Sequence, residues 1–190
     1  MTTSRRILPL AAAALAVLTL AACGDRHQPT TTGESEGEMI QAGPLLYQVQ
    51  MSRELNPANV EDREYLAGLA PGTAQPSGSE EWFGVWLRVQ NTTGAVHPSA
   101  REFKIVDTLG TEYEPVALPA GNAFSYQPGP VQAESGQPVY PDPESAAGAG
   151  PIQGSMLLFK LDTSVYGSRP IEFEITPPSG GAPSRVTLDL

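Results

Sequence analysis

The sequence predicts an all-β fold, a two-sheet sandwich of about seven short strands with a short helical insertion and a long Pro/Gly-rich loop. Two observations predict it. Apolar residues recur at every second position in stretches spread from Leu45 to Leu190, the spacing of strands with one buried face. Glycine, proline, asparagine and aspartate cluster between those stretches, where reversals of the chain need them. No fixed-period repeat accompanies the pattern.

The elements follow in order. Leu45, Tyr47, Val49 and Met51 alternate from Pro44 onward and mark the first strand. Asn56-Pro57 opens a stretch through Leu69 in which Val60, Tyr65, Leu66 and Leu69 share one side of a short helix, with Glu61, Asp62 and Glu64 outward. Gly, Pro and Ser between Pro71 and Ser79 return the chain to the sheet. In Trp82–Gln90 one face carries Phe83, Val85, Leu87 and Val89, and the other carries Trp82 and Trp86 with Gly84 between them and Arg88 beyond. Glu102–Asp107 and Thr111–Val116 flank Asp107-Thr108-Leu109-Gly110, a turn in which Gly110 suits the positive φ that closes a hairpin. Ala117–Gly150 is the long loop, with Phe124, Tyr126 and Tyr140 embedded in it, and Ser155–Leu161, Ile171–Ile175 and Arg185–Leu190 complete the strands. The expected core holds Phe103, Ile105, Leu157, Phe159, Leu161, Val186, Leu188 and Leu190.

Ahead of this domain stands a different kind of segment. Arg5 and Arg6 are cationic, Ile7–Leu20 is apolar, and Leu20-Ala21-Ala22-Cys23 sets small residues before the only cysteine, the order of a secretory leader. The apolar run is shorter than the roughly 20 residues that a membrane-spanning helix requires. Its last four residues resemble the lipobox of bacterial lipoproteins, which implies cleavage before Cys23, lipidation of its sulfur, and a location on the extracytoplasmic face of the cell membrane. Ser4-Arg5-Arg6-Ile7-Leu8 also resembles a twin-arginine signal, while the same arginines serve an ordinary Sec signal. Gly24–Gln41 is polar almost throughout and reads as an unstructured tether with a root-mean-square span of roughly 23 Å. The chain therefore divides into a leader over 1–22, lipidated Cys23 with its tether over 23–41, and a sandwich domain over 42–190.

Charge and cysteine use narrow the partners. The formal net charge is −10, and removing a leader that contains Arg5, Arg6 and no acid takes it to −12. A domain of that sign is repelled by phosphate, which excludes nucleic acid and leaves acyl chains as the membrane contact. With Cys23 lipidated no thiol remains for a disulfide, so stability comes from the core of a single domain of about 150 residues. Lys104 and Lys160 are the only lysines, a bias typical of GC-rich genomes such as those of actinobacteria.

Several segments together carry a resemblance: Arg53-Glu54-Leu55-Asn56-Pro57, Asp62-Arg63-Glu64-Tyr65-Leu66, Phe83-Gly84-Val85, Val89-Gln90-Asn91, Ala123-Phe124-Ser125-Tyr126-Gln127-Pro128-Gly129, Gly154-Ser155-Met156-Leu157-Leu158-Phe159-Lys160 and Arg169-Pro170. The set resembles actinobacterial lipoproteins of unknown function. More distantly, the strand, Asn-Thr turn, Asp-x-x-Gly hairpin and late Gly-x-x-x-Phe strand resemble bacterial extracellular domains with an immunoglobulin-like sandwich. That resemblance implies a fold over about Pro44 to Leu190 and brings no catalytic residues with it.

The chemistry-bearing residues are few. His97 is the only histidine of the expected domain, in Val96-His97-Pro98-Ser99, and Ser99 stands too near it in sequence for the long-range arrangement of a triad. Acid–base chemistry would fall to paired carboxylates: Glu80 with Glu81, Asp107 with Glu112 and Glu114, or Asp142 with Glu144. No calcium loop, zinc set or phosphate-cradling glycine loop is present in the sequence, so no metal or cofactor is expected. Tyr65, Trp86, Phe124, Tyr126 and Tyr140 form the candidate interaction surface, with burial beneath the long loop as the competing role for Trp82 and Trp86. Two function classes follow. One is a non-catalytic binding or protein-interaction module facing an envelope protein or wall glycan, and the other is an envelope hydrolase acting through paired carboxylates.

Overall fold

The computed structural model describes residues 30–189, so the leader, Cys23, the start of the expected tether and Leu190 lie outside the described residues. Two sheets face each other. The first has the order β10 (Ser155–Asp162), β4 (Glu80–Gln90), β3 (Leu45–Leu55) and β2 (Met39–Ala42), and β9 (Val139–Tyr140) pairs with the end of β4 beyond the reach of β10. The second has the order β1 (Thr32–Gly33), β12 (Ser184–Thr187), β11 (Glu172–Thr176), β6 (Glu102–Val106) and β7 (Glu112–Tyr113). A small ribbon joins β5 (His97–Pro98) to β8 (Pro130–Val131). The orders β3-β4-β10 and β6-β11-β12 correspond to the A-B-E and C-F-G sheets of an immunoglobulin-like sandwich, with β7 beside β6 as an added strand.

Period-two alternation places the core. Tyr47, Val49, Phe83, Val85, Leu87, Leu157 and Phe159 from the first sheet meet Phe103, Ile105, Phe173, Ile175 and Val186 from the second, and all of them are buried. Phe173 stacks on Phe103 at 5.7 Å between centroids and meets Phe159 edge-on at 6.2 Å, linking the sheets through their rings. The predicted turn closes β6 onto β7: Gly110 has φ +80°, and Asp107 accepts hydrogen bonds from Leu109 N at 2.9 Å and Thr111 N at 2.8 Å.

A second apolar cluster lies on the outer face of the first sheet. Leu55, Trp82, Trp86, Met156 and Leu158 project away from the sandwich and are covered by Tyr65, Leu66, Leu69, Val116, Leu118, Phe124 and Ile152. Strand β4 is consequently buried on both faces from Trp82 to Leu87. Its cover comes from the two insertions, one of them holding α1 (Val60–Tyr65), whose N-cap Asn59 accepts from Glu61 N at 2.9 Å. The other holds α2 (Ala146–Ala149).

Four sequence expectations are corrected. Residues 30–41 are strand and turn rather than tether: Gln41 N donates to Thr30 O at 2.7 Å, Arg185 N donates to Thr31 O at 2.9 Å, and Ile40 is fully buried. Backbone pairing holds this segment, so its polar composition misled, and residues 30–41 belong to the domain expected to start at residue 42. Val60 is exposed, because the helix is too short to turn its first residue toward the sheet. Asp62 faces inward and is buried by its ion pair with Arg53. The strand expected over Thr111–Val116 stops at Tyr113; beyond Pro115 the chain crosses to the other sheet, where Val116 N donates to Leu158 O at 2.6 Å.

Candidate functional site

The five aromatic residues expected to form an interaction surface fall into two buried or half-buried groups, and both pin the insertions. Tyr65 meets Trp86 edge-on at 5.1 Å and Phe124 at 4.8 Å. Arg53 lies over the Trp86 ring with its guanidinium carbon 5.4 Å from the centroid. The same guanidinium donates to Asp62 at 2.6 Å, and Asp62 also accepts from Asn56 N at 2.8 Å. Burial pushes the Asp62 carboxyl up, but those two donors outweigh it and hold the group below its usual value.

The second group closes the far end of the long loop. Tyr126 meets Phe103 at 5.2 Å and Tyr140 at 5.5 Å, both edge-on. Its hydroxyl donates to Ala100 O at 3.0 Å, while Ala100 N donates to the Tyr47 hydroxyl at 2.8 Å, so one residue of the β5–β6 connection is gripped by two tyrosines. Burial pushes the Tyr47 phenol up to about 12 and raises that of Tyr126 further. Tyr140 accepts from Gln127 N at 2.8 Å. Of the two roles expected for Trp86 the structure shows burial beneath the long loop, and the expectation that the other rings present themselves to a partner is corrected: Trp86 is fully buried, Tyr65 and Tyr126 are less than a tenth exposed, and Phe124 and Tyr140 are half-buried. An outward sheet face rich in aromatics is too apolar to leave uncovered, and the insertions cover it.

The candidate acids are separated or already engaged. Glu80 and Glu81 are consecutive in a strand and point to opposite faces. Glu80 accepts from Ser77 N at 3.0 Å and pairs with Lys160 at 2.9 Å, which lowers it to about 2, whereas Glu81 accepts from the Tyr166 hydroxyl and is raised by burial. Asp107 caps the hairpin, Glu112 pairs with Lys104 at 2.5 Å, and Asp142 accepts from Glu144 N at 2.9 Å. His97 sits in the β5–β8 ribbon, and Ser99 accepts from Gly129 N at 3.0 Å.

What the long loop does offer is relief. Its first part and the edge of β10 enclose a groove of about 290 Å³ walled by Val116, Leu118, Tyr126 and Pro128, with Arg101 at its mouth. Arg101 also borders a second depression of about 450 Å³ formed with Pro98, Thr176 and Pro177. Sequence reasoning did not find Arg101, because a lone arginine beside a turn has no signature. The latch that joins the long loop to the helical insertion is Asn122, whose Nδ2 donates to Tyr65 O at 2.8 Å and Ala67 O at 3.0 Å. It too was invisible, since its partners stand 57 and 55 residues away in the chain. Cys23 lies outside the described residues.

No family model and no curated protein matches the chain. Solved structures do. The yjhA protein of Bacillus subtilis aligns over 82% of this chain and 99% of its own at 13% identity, with a TM-score of 0.53. A candidate lipoprotein of the same organism, ycdA, aligns over 83% of this chain and 39% of its own at 16% identity and a TM-score of 0.48. An uncharacterized β-sandwich protein of Clostridium difficile aligns over 86% of this chain and 98% of its own at 8% identity and a TM-score of 0.41. At such identities the likeness to yjhA is one of fold, and the chain is an all-β sandwich.

Proposed function

We propose that this chain is a lipid-anchored protein of the extracytoplasmic membrane face, similar in kind to actinobacterial envelope lipoproteins. In this reading its immunoglobulin-like domain is a non-catalytic binding module for an envelope protein or wall glycan. The observation that carries the anchor is the order of residues 5–23: cationic start, short apolar run, then Leu20-Ala21-Ala22-Cys23. Thr30, the first described residue, is already paired with Ile40 and stands seven residues after Cys23, and seven residues reach at most roughly 25 Å in any conformation. The domain is thereby kept beside the bilayer, where short reach restricts it to partners of the envelope. Support for binding over hydrolysis comes from the carboxylates, whose expected pairs are divided between faces or occupied by structural donors.

Contact is assigned to the surface of Ala117–Gly150, now through its relief rather than its rings. The test has two arms. Mass spectrometry of the mature protein is expected to find an acylated Cys23 at the amino terminus, and an unmodified terminus further along the chain would end the anchor reading. A photo-crosslinking residue at Gln127 or Arg101 is expected to capture an envelope component that the same residue at Leu109 does not. Equal capture at all three positions would remove the assignment of the surface.

A further inference from the structure

The base at the other end of the long loop is placed differently from the rest. Among the described residues, Arg53, Lys104 and Lys160 are half-buried and each is paired with a carboxylate within 4 Å, at 2.6, 2.5 and 2.9 Å respectively. Arg88 is half-buried too, and no carboxylate of the described residues lies within 4 Å of it. Its cross-strand neighbour is Gln48, a neutral side chain whose amide is spent on Gly37 O at 2.5 Å. The nearest acids of the loop, Asp142 and Glu144, belong to the turn into α2, where Asp142 caps the Glu144 N–H. Its guanidinium reaches water, since Trp86 Nε1 is the buried side-chain polar atom left without a partner among the described residues, and in a chain of formal net charge −10 it is a cation open to an anion from solution.

The surroundings specify what kind of anion. Arg88 lines a cleft of about 170 Å³ with Val139, Pro141, Pro143, Gly148 and Gln153. Allowing about 30 Å³ for each water-sized group, that volume holds some six of them, a carboxylate together with a few carbon atoms. Three of the walls are apolar and rigid, so the carbon skeleton beside the carboxylate is itself apolar. The planar fork of arginine takes both oxygens of a carboxylate at once. A doubly charged phosphate is held by the same fork but is repelled more strongly by the acidic domain around it. Gly148 is packed against Asp142 O so closely that a Cβ there would lie 2.0 Å from it, which fixes the loop wall in place without a side chain to fill the cleft.

We propose that the Arg88 cleft binds the carboxyl-terminal residue of a peptide with a small apolar side chain, the carboxylate on Arg88 and the side chain against Val139, Pro141 and Pro143. This deepens the binding-module reading and rests on it, but it is independent of the lipid anchor. The site belongs to the same insertion as the groove at Arg101 and opens on the outer side of the first sheet, past the end of β10.

The experiment uses the full chain in detergent, labelled with ¹⁵N-arginine, and follows the side-chain resonances by NMR. N-acetyl-Ala-Ala with a free carboxyl terminus is expected to shift the Arg88 resonance saturably, and its carboxamide is expected to leave it unmoved. Arg88→Gln should weaken binding at least about tenfold, the loss expected for one charge-assisted pair, while Arg63→Gln, at an exposed position of α1, changes nothing. The dispersion of the remaining spectrum reports whether each variant is folded, and Arg88→Lys serves as the conservative substitute if Arg88→Gln is not. Equal shifts with acid and carboxamide, or no saturable shift, would overturn the proposal. Tighter binding of inorganic phosphate or glucuronate than of the peptide would overturn it as well, by assigning the cation to another ligand. The broader reading is judged separately: envelope capture from Gln127 that survives in Arg88→Gln leaves the module standing when the cleft fails.

Discussion

Asn122 holds Tyr65 through the main chain, donating from Nδ2 to its carbonyl oxygen at 2.8 Å, and takes Ala67 O at 3.0 Å with the same nitrogen. The two insertions are thus one cover, latched over the outer face of the first sheet by a buried amide. Removing the amide leaves two carbonyls without their donor. Asn122→Ala is expected to cost about 1–3 kcal/mol in urea denaturation and to open the segment around Leu118 to proteases before the rest of the domain. Unchanged cleavage kinetics would show that the insertions do not depend on the latch.

The Arg53–Asp62 pair gives the cover a dependence on acid. Asp62 is held below its usual value in the folded state, so its contribution is complete above the unfolded value of about 3.9 and is lost as pH falls through the folded value. Asp62→Asn should therefore destabilise the protein by about 1–3 kcal/mol at pH 7, less than a fully buried pair costs because Arg53 is 35% exposed. The difference between variant and parent should shrink as pH is lowered below about 4. A difference independent of pH would locate the effect in packing rather than charge.

Gly84 and Trp86 share space. A Cβ on Gly84 would lie 2.7 Å from Cη2 and 2.8 Å from Cζ3 of that indole, and 3.1 Å from the Met156 sulfur. Gly84→Ala is expected to cost about 1–3 kcal/mol by overpacking. Trp86→Phe loses packing but no hydrogen bond, since Trp86 Nε1 is buried without an acceptor among the described residues. The double variant should be more stable than the sum of the single effects predicts, because the smaller ring makes room for the methyl. Strict additivity in thermal denaturation would contradict the assigned clash.

The corrected boundary predicts different behaviour for two truncated chains. One beginning at residue 30 retains β1 and β2 and is expected to be monomeric and β-rich by circular dichroism. One beginning at residue 42 uncovers the edges of β3 and β12, and is expected to aggregate or to lose stability. Equal solubility and equal melting temperatures would return residues 30–41 to the role of a tether.

How far the sequence was legible follows from where the signal is carried. Phe83, Val85 and Leu87 announce a strand face because their side chains are buried in register, and the same holds for Leu157 with Phe159 and for Phe173 with Ile175. Residues 30–41 enter the fold through backbone bonds, with Ile40 as their principal apolar anchor, and backbone bonds leave no trace in composition. Burial of Trp86 beneath the long loop was legible from its strand face, whereas its contact with Tyr65 was not, because the cover is assembled from segments far apart in the chain. Arg88 was visible on its strand, whereas its lack of a partner is a property of three-dimensional neighbours alone.

The pairing of β1 with β12 is parallel and joins the first described strand to the last. Thr31 accepts from Arg185 on one side, while Thr30 accepts from Gln41 on the other, so the first described residues are stitched between both sheets. On the proposed anchor, tension arriving at Thr30 would not meet a loose end. It is shared at once between the start of β12 and the end of β2, and drag on the domain must loosen the closing strand of the sandwich before the first residues can peel away.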